Sequence, residues 1–444
     1  MTVHLYQNAL VVAMVALITF ATCTPAFAVS PEETLQLLEQ YEGSLITAIT
    51  LGGNHITRDF VIAREIWSEV GEPLDPELVV EDVIRLENLS IFGSVIVTPV
   101  PNPVGVALNF QFTEMPWLIP FPALSYNEQN GFSIGLGVAS PNFAGRKITL
   151  SGSVLFGGTT TGNFRAANPW ITGNHLSGEI WAKKNIRQNI LLDFEENTDL
   201  LQVIGGSYLG KRGRLLVDLG YYSVGSDKDG ITLNPNNRDK MFTTGFSLGY
   251  DSRDSWRVPH EGWLNDISPV YFGGDANSWT INLDIRRYQP VIENHTIATG
   301  PLFSYQSGVV GEDIPSYLQY FLGGANTIRG YNLDELGKEL FGKNQFLYTL
   351  EYRYVFSPMR AYKIFKWSIG MGFEIAGFGD AGVAWSRSQD FSLNRTRFGF
   401  GAGLRVLLPS VQTVRFDVGI SQFGDVVFNF GINTIFHARR QRLR

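Results

Sequence analysis

The most constraining feature of the sequence is a strict alternation of apolar and polar residues near its C-terminal end. In the run 414–420, with the sequence VRFDVGI, every second residue is valine, phenylalanine or isoleucine. The residues between them are arginine, aspartate and glycine. A β-strand directs successive side chains to opposite faces, so this run predicts a strand with one apolar and one polar face. A transmembrane β-barrel requires that pattern many times, because lipid covers its outer face and a polar lumen lies inside.

Similar alternating segments recur from residue 118 to residue 436, with turn residues between them. A tilted membrane strand needs about ten residues, and connections have a similar average length, so this span accommodates about sixteen strands. We therefore predict a mainly β fold, with a transmembrane antiparallel β-barrel of about 16 strands over 118–436. Two connections, 187–199 and 309–344, are too long to be turns, and such loops commonly carry function. The predicted strands are 121–126, 132–139, 148–156, 176–183, 201–209, 214–223, 242–251, 263–272, 279–288, 296–306, 345–356, 368–373, 377–385, 397–407, 414–421 and 426–436.

The composition is typical of a β-protein that faces lipid. Charged residues make up 17% of the 444 residues, aromatic residues make up 13%, and glycines number 47. The charged fraction lies below the average of soluble domains. The aromatic residues cluster near the ends of the predicted strands, where a girdle at the lipid–water boundary requires them. The alternative is that they form the core of a soluble β-sandwich. The net charge of −7 argues against nucleic acid as a partner.

Residues 1–28 have the features of a secretory signal peptide. The apolar run 9–21 is too short for a transmembrane helix, and Ala26-Phe27-Ala28 fits a cleavage site. The positively charged residues expected at the start of a signal peptide are missing, so either the start codon is wrongly assigned or the signal is atypical. Cleavage after Ala28 removes Cys23, the single cysteine, which is compatible with an oxidising compartment.

Residues 44–115, which follow an N-terminal segment at 29–43, predict a small α+β domain. Thr57 and Asp75 are suitable helix N-caps, and Pro76 suits the first position of a helix. The predicted helices begin at residues 31, 58 and 76, and the second of them continues to about residue 69. The predicted strands of this module are 47–51, 95–98 and 104–112.

Three segments of this module resemble a POTRA domain, the periplasmic module of the BamA/TamA superfamily of outer-membrane assembly and translocation proteins. They are LGGNHIT at 51–57, GEPLD at 71–75 and LSIFGSV at 89–95. The resemblance implies one POTRA-like module in the periplasm. Its candidate client-binding edge is Val95, Ile96 and Val97, to which an extended polypeptide could add as a further strand.

The segment 322–331, with the sequence LGGANTIRGY, strongly resembles the signature of the long sixth extracellular loop in the same superfamily. In that family the loop folds back into the barrel and its arginine docks on the lumen wall. The matching partner segments are QFLYTLEYR at 345–353 and GFGDAG at 377–382. The residues that the resemblance assigns to this lumen lock are Ile328, Arg329, Gly330, Tyr331, Glu351, Phe378, Asp380 and Gly382.

Elementary chemistry agrees with that assignment. The guanidinium of Arg329 is a planar fork that can engage carboxylates through two hydrogen bonds at once. A buried arginine is costly unless it is paired, and Glu351 and Asp380 are the predicted acceptors. Gly330 permits close approach of the backbone or a positive φ. The alternative is that Arg329 is a solvated loop residue.

Sequences that look catalytic have structural explanations. The G-x-S-x-G matches at 131–135 and 245–249 lie inside alternating strands, whereas a nucleophile elbow needs a strand, a sharp turn and a helix. The segment 337–344 lacks the Ser or Thr of a phosphate-binding loop, and the six histidines are scattered. We predict no enzymatic activity, no cofactor and no metal site.

The sequence therefore predicts an outer-membrane barrel that assists the insertion or translocation of polypeptides. The expected partners are unfolded outer-membrane or secreted polypeptides, outer-membrane lipids and periplasmic accessory proteins. Two alternatives are a two-partner secretion transporter for a single exoprotein and a passive porin. The basic tail at 437–444 is either a solvated extension or a contact for an anionic surface.

Overall fold

The computed structural model describes residues 25–26, 31–127, 130–172, 176–210, 212–255, 258–364, 367–387, 390–407 and 413–432. Apart from residues 25–26, the predicted signal peptide lies outside the described residues. The end of the last predicted strand, 433–436, and the basic tail at 437–444 lie outside them too.

The N-terminal module is a three-stranded sheet packed against helices. Strand β1 is Ile46–Gly52, β2 is Phe92–Asn102 and β3 is Gly105–Glu114, in the order β1-β3-β2. The β1–β3 pair is parallel and the β2–β3 pair is antiparallel. The helices are α1 (Pro31–Glu39), α2 (Asp59–Ala63) and α3 (Pro76–Asn88).

One hydrophobic core joins the sheet to α1 and α3. Leu38 from α1 and Leu86 from α3 are fully buried in the same cluster as Phe110 from β3. As predicted, the carboxylate of Asp75 caps α3, because it accepts the backbone N–H groups of Glu77 and Leu78. None of the helices in the described ranges has the length and apolarity that a membrane crossing demands.

The helix predicted from 58 to about 69 is wrong in its length, because α2 ends at Ala63. The buried carboxylate of Asp82 on α3 accepts the backbone N–H groups of Trp67 and Ser68, at 2.7 and 3.1 Å. Those donors are therefore bound by a tertiary contact instead of by a helical turn. Arg85 pairs with Asp82 and stacks on the Trp67 ring at 3.6 Å.

The rest of the chain forms the predicted antiparallel barrel. Each strand pairs with the next in sequence, and the last strand neighbours the first, so the sheet is closed. The two residues Pro25–Ala26 also pair with the strand Asn344–Ile364. The sixteen strands, β4 to β19, are Ile119–Asn127, Gly131–Phe143, Ile148–Gly157, Thr159–Thr172, Leu176–Asn189, Phe194–Leu209, Gly213–Ser226, Arg238–Asp251, Gly262–Gly274, Ser278–Ile292, His295–Gln306, Asn344–Ile364, Trp367–Trp385, Arg397–Leu407, Val414–Ser421 and Val426–Ile432.

Side chains alternate between the two faces of the barrel wall. On β11, Phe242 and Phe246 are about half exposed, whereas Thr243 and Ser247 between and after them are buried in the interior. Lipid can cover the apolar outer side chains, and the small polar ones line the inside. The predicted fold class is confirmed.

Two strand predictions are wrong in detail although the total agrees. Strand β7, Thr159–Thr172, is absent from the predicted set, and the predicted strands 368–373 and 377–385 are one continuous strand, β16. The segment predicted as a loop at 187–199 is also mostly strand, because β8 ends at Asn189 and β9 begins at Phe194. In this segment Arg187 donates to the Glu196 carboxylate across the β8–β9 pair. The charged residues that suggested a loop are therefore paired with each other across two strands.

The strands differ greatly in length around the barrel. Strands β15 and β16 have 21 and 19 residues, whereas β18 and β19 have 8 and 7. The seam where the last strand meets the first joins β19, which is described as far as Ile432, to β4, which has 9 residues.

Candidate functional site

The connection between β14 and β15 folds into the barrel. This segment, residues 307–343, is called the lumen loop below. It contains a short 3-10 turn at Ser316–Leu318, the helix α4 at Leu333–Glu339, and the paired two-residue strands Tyr320–Phe321 and Phe341–Gly342. Arg329 lies at its tip and is completely buried.

Arg329 binds two carboxylates on neighbouring strands. Its Nε and Nη2 donate to the two oxygens of Asp380 on β16, at 2.7 and 3.0 Å. Its Nη1 donates to Glu351 on β15 at 2.8 Å, and its backbone N–H also donates to Asp380, at 3.1 Å. Both acceptors predicted from the sequence thus lie against Arg329 in the structure. The fork geometry is the one in which arginine–carboxylate bonds are strongest.

The pair belongs to a larger network that the sequence analysis missed. Asp417 on β18 is a third carboxylate, 3.4 Å from Nη1 of Arg329. Arg405 donates to Glu351 and to Glu374, Arg415 donates to Asp417, and Arg353 donates to Glu351. The network holds four arginines and four carboxylates, so its formal charges cancel. Its members are Arg329, Arg353, Arg405, Arg415, Glu351, Glu374, Asp380 and Asp417, all nearly or fully buried.

A sequence signal existed for the missed residues. Arg415 and Asp417 occupy the polar face of the alternating run 414–420, and that face points into the barrel. Arg405 and Glu374 lie directly opposite each other on β17 and β16. The alternation could identify them as inward-facing, but it could not show which of them reach Arg329.

An aromatic ring and bare backbone complete the binding site for the loop tip. The guanidinium carbon of Arg329 lies 3.6 Å from the centre of the Phe378 ring, a cation–π contact. Gly330 has φ +123°, which favours glycine. A Cβ atom on Gly399 of β17 would lie 2.1 Å from the carbonyl oxygen of Arg329, and one on Gly419 of β18 would lie 2.5 Å from the Gly330 nitrogen.

The remaining predicted lock residues form an apolar layer beside the ionic network. Ile328 is fully buried against Leu347 of β15, and Tyr331 packs against the same cluster. A Cβ on Gly382 would lie 2.9 Å from the Ile328 side chain, so this glycine makes room for it. Leu336 on α4 and Leu340 directly after it join the same cluster. The loop therefore holds its position through apolar burial as well as through charge.

The chain matches two family descriptions. Residues 124–436 match the Omp85 superfamily domain, and residues 44–115 match the POTRA family, described as a surface antigen variable number repeat. The chain belongs to the Omp85 superfamily. It is thus an outer-membrane β-barrel with its POTRA module in the periplasm, as the sequence predicted.

This Omp85 barrel has distant relatives with similar folds. It is 22% identical over 377 residues to the outer membrane protein assembly factor BamA of Nitratidesulfovibrio vulgaris, an alignment that covers 78% of this chain and 45% of BamA. The chain therefore spans less than half the length of that relative. Among solved structures it resembles BamA from Haemophilus ducreyi lacking POTRA domains 1–3, with a TM-score of 0.55, 18% identity, and 87% and 84% of the two chains covered. It also resembles CdiB from Escherichia coli, with a TM-score of 0.54, 13% identity, and 88% and 75% covered.

A second attachment holds the lumen loop of this Omp85 barrel far from Arg329. The Tyr317 hydroxyl donates to the carboxylate of Asp239, at 2.6 Å, and Asp239 is fully buried at the start of β11. Burial, together with the bond to the Asp239 carboxylate, raises the pKa of Tyr317. Tyr317 also packs beside Phe194 of β9, so the loop reaches the opposite side of the barrel.

We expect Tyr317→Phe to loosen this attachment while Arg329 remains bound. The ring packing is kept, but the bond to a charged acceptor, worth about 1–3 kcal/mol, is lost. Limited proteolysis of the folded barrel should then cut the lumen loop near residue 317 faster than in the wild type. Tyr305→Phe, on the lipid-facing side of β14, is the matched control and should leave the cutting rate unchanged. Equal rates for Tyr317→Phe and wild type would show that the hydroxyl does not hold the loop.

The predicted client edge lies on β2, at the border of the module's sheet. Among the described residues β2 pairs only with β3. Val95 and Val97 direct their side chains into the module's core, while Ile96 lies on the other face and is partly exposed. The structure thus places all three residues on an edge strand, the position from which strand addition is possible.

The direction of the backbone groups on β2 follows from the neighbouring strand. The N–H of Val106 donates to Leu45, away from β2, and Val106 lies opposite Pro101. Because antiparallel pairs alternate, Pro101, Pro99, Val97 and Val95 all direct their backbone groups to the open edge. The two prolines have no N–H to offer. Val95 and Val97 therefore supply the N–H groups that this stretch directs away from β3.

Proposed function

We propose that this protein assists the insertion or translocation of polypeptides at the outer membrane, without an enzymatic step. The observation that carries the proposal is the unpaired edge of β2 on a module attached directly beneath a closed barrel. An extended client adds to β2 through backbone hydrogen bonds, which fit many sequences. The seam between β19 and β4, where the barrel closes, is the position at which the wall opens sideways to the client.

The buried lock supports a role for the barrel wall itself. The network around Arg329 joins the lumen loop to β15, β16 and β18 through fully buried charges. It ties the tip of the lumen loop to these three strands of the wall. A passive porin requires no such loop anchor and no periplasmic module, so these features support polypeptide handling instead.

Depletion of the protein followed by proteomics tests the proposal. Broad loss of outer-membrane barrels supports a general role in insertion, and loss of one secreted species supports the alternative, a transporter for a single exoprotein. Unchanged outer-membrane and secreted proteomes would contradict both. Periplasmic accessory proteins and lipids are the further proposed partners, and co-purification from detergent extracts identifies them.

We expect Val97→Pro to weaken client binding by about tenfold, because it removes one of two edge donors and a hydrogen bond contributes about 0.5–1.5 kcal/mol. The backbone of β2 accepts proline at alternate positions on this side, since Pro99 and Pro101 already lie there. The probe is a synthetic peptide of residues 426–432, an extended barrel strand, cross-linked to a photoreactive residue at position 96. Val97→Ala is the control, because it reduces core packing but keeps the N–H group. Equal cross-linking yields for Val97→Pro and Val97→Ala would rule out strand addition here.

A further inference from the structure

A short segment of the module forms a rigid projection toward the barrel. The carboxylate of Glu114, at the end of β3, accepts the backbone N–H groups of Ile56 and Thr57, at 2.8 and 2.6 Å. The Asn54 side chain donates to the carbonyl of Thr57 and to the carboxylate of Asp59, at 3.1 and 2.7 Å. Four hydrogen bonds thus fix the segment 54–58, which is called the docking knob below.

The docking knob fits against the turn between β5 and β6. The side-chain amide of Asn142 donates to the Thr57 hydroxyl at 2.8 Å, and the backbone N–H of Arg58 donates to the carbonyl of Gly145 at 3.0 Å. Arg58 Nε donates to the carbonyl of Ala144 at 3.3 Å. Asn142 and Thr57 are only 5% and 3% exposed, so water is excluded from their bond. The bonds join the module to the first described turn on the periplasmic side of the barrel.

The backbone of the β5–β6 turn lies so close to the docking knob that no side chain fits between them. Gly145 has φ +68°, and a Cβ atom placed on it would lie 2.0 Å from the carbonyl oxygen of Ile56. A glycine-containing turn on the same side, after β9, provides a comparison. Gly210 has φ +67°, but a Cβ there would meet nothing within 4 Å. The close fit therefore belongs to the contact with the docking knob and not to the turn conformation.

A second contact prevents rotation about the first. The guanidinium of Arg64, just after α2, lies 4.6 Å from the centre of the Trp170 ring on β7. The quadrupole of the ring attracts the charged guanidinium to its face. Two separate contacts, one on the β5–β6 turn and one on β7, define an orientation that one contact alone would leave free.

We propose that the docking knob and the β5–β6 turn hold the POTRA module in one orientation beneath the barrel, and that Glu114, Asn142 and Gly145 are positioning residues for client transfer. With one module in the matched region, the direction in which the edge of β2 faces depends on this contact. The fixed orientation is inferred only from the contacts of the docking knob and of Arg64 with the barrel. Its consequence for client transfer rests on the function proposed above.

The test measures the orientation directly. Spin labels are attached at Glu77→Cys on α3 and Glu293→Cys after β13, with Cys23 replaced by serine, and pulsed electron paramagnetic resonance gives their distance distribution. Wild type and Gly210→Ala should each give one narrow distribution, whereas Gly145→Ala should give a broad one. A broad wild-type distribution, or a narrow and unshifted one for Gly145→Ala, would overturn the proposal.

Two additions keep the result interpretable. Thr57→Val removes the hydroxyl that Asn142 binds without placing an atom in the turn, and it should broaden the distribution to a smaller extent. Cross-linking of the 426–432 peptide to β2 should be retained in Gly145→Ala, while the yield of assembled client falls. A broadened distance distribution in Gly145→Ala without any loss of assembled client would contradict the role in transfer. If the 426–432 peptide does not cross-link to β2 in the wild type, the proposed function is contradicted instead.

Discussion

Arg329→Ala should destabilise the folded barrel by about 3–5 kcal/mol, the cost of removing one partner from a buried ion pair. Arg329 is fully buried, and its loss leaves the network with three arginines against four carboxylates. Asp380 loses three of its hydrogen bonds at once, two to the guanidinium and one to the backbone of a loop tip that is no longer held. The urea concentration at which half of the barrel is unfolded measures the effect. The folded fraction at each concentration is read from the heat-dependent shift of the folded barrel on gels.

Two comparison variants separate the lock from a general effect of charge. Arg287→Ala removes an arginine from the opposite face of the wall, where it stacks on Trp263 at 5.1 Å, and should cost at most about 1 kcal/mol. Arg329→Lys keeps the charge but loses the planar fork, so its stability should lie between wild type and Arg329→Ala. Wild-type stability and function for Arg329→Ala would show that the network does not hold the lumen loop.

The barrel could be predicted from the sequence because lipid imposes a rule on every strand that faces it. Strand β11 shows the rule clearly, with phenylalanines outside and small polar residues inside. Strand β7 escaped detection because its sequence, TTTGNFRAANPWIT, has polar or small residues on both faces over its first five positions. Period-two alternation is absent there, and only pairing with β6 and β8 identifies it as a strand.

The candidate site could be predicted only in part, for a different reason. The loop segment and two partner segments carry local sequence signatures, and the structure places Glu351, Phe378 and Asp380 around Arg329. Asp417 lies 88 residues from Arg329 along the chain and reaches it because of the register between β17 and β18. Register depends on the closure of the whole sheet, which alternation along single strands does not encode. The contact of Tyr317 with Asp239 depends on how the lumen loop folds against β11 and had no local signal in the sequence.

The glycine opposite Asp380 was also missed, although it determines whether the loop tip can reach the wall. Gly399 on β17 is the cross-strand partner of Asp380, and it lies against the Arg329 backbone. A side chain there would occupy the position of the loop, because backbone atoms 2.1 Å away cannot rotate aside. Glycine at such positions permits close approach of two backbones.

Gly399→Ala should therefore weaken the lock about as strongly as Arg329→Ala, although it alters no charge. Displacing the tip by 1 Å or more, as relief of this contact requires, breaks the 2.7 Å bond between Arg329 and Asp380. Gly379→Ala is the matched control, because Gly379 lies next to Asp380 on β16 and a Cβ there would meet nothing within 4 Å. Both glycines lack a positive φ, so alanine adds no backbone strain at either.

The double variant tests whether the two changes act through the same contact. If Gly399→Ala acts by expelling the loop tip, adding it to Arg329→Ala should lower the urea midpoint little further, since residues in one network are not additive. Independent effects would add instead, and the double variant would then lose the sum of both. Because Gly399 touches the loop through its backbone, additivity would mean that the alanine distorts the wall between β16 and β17, and that the lock is separate from this glycine.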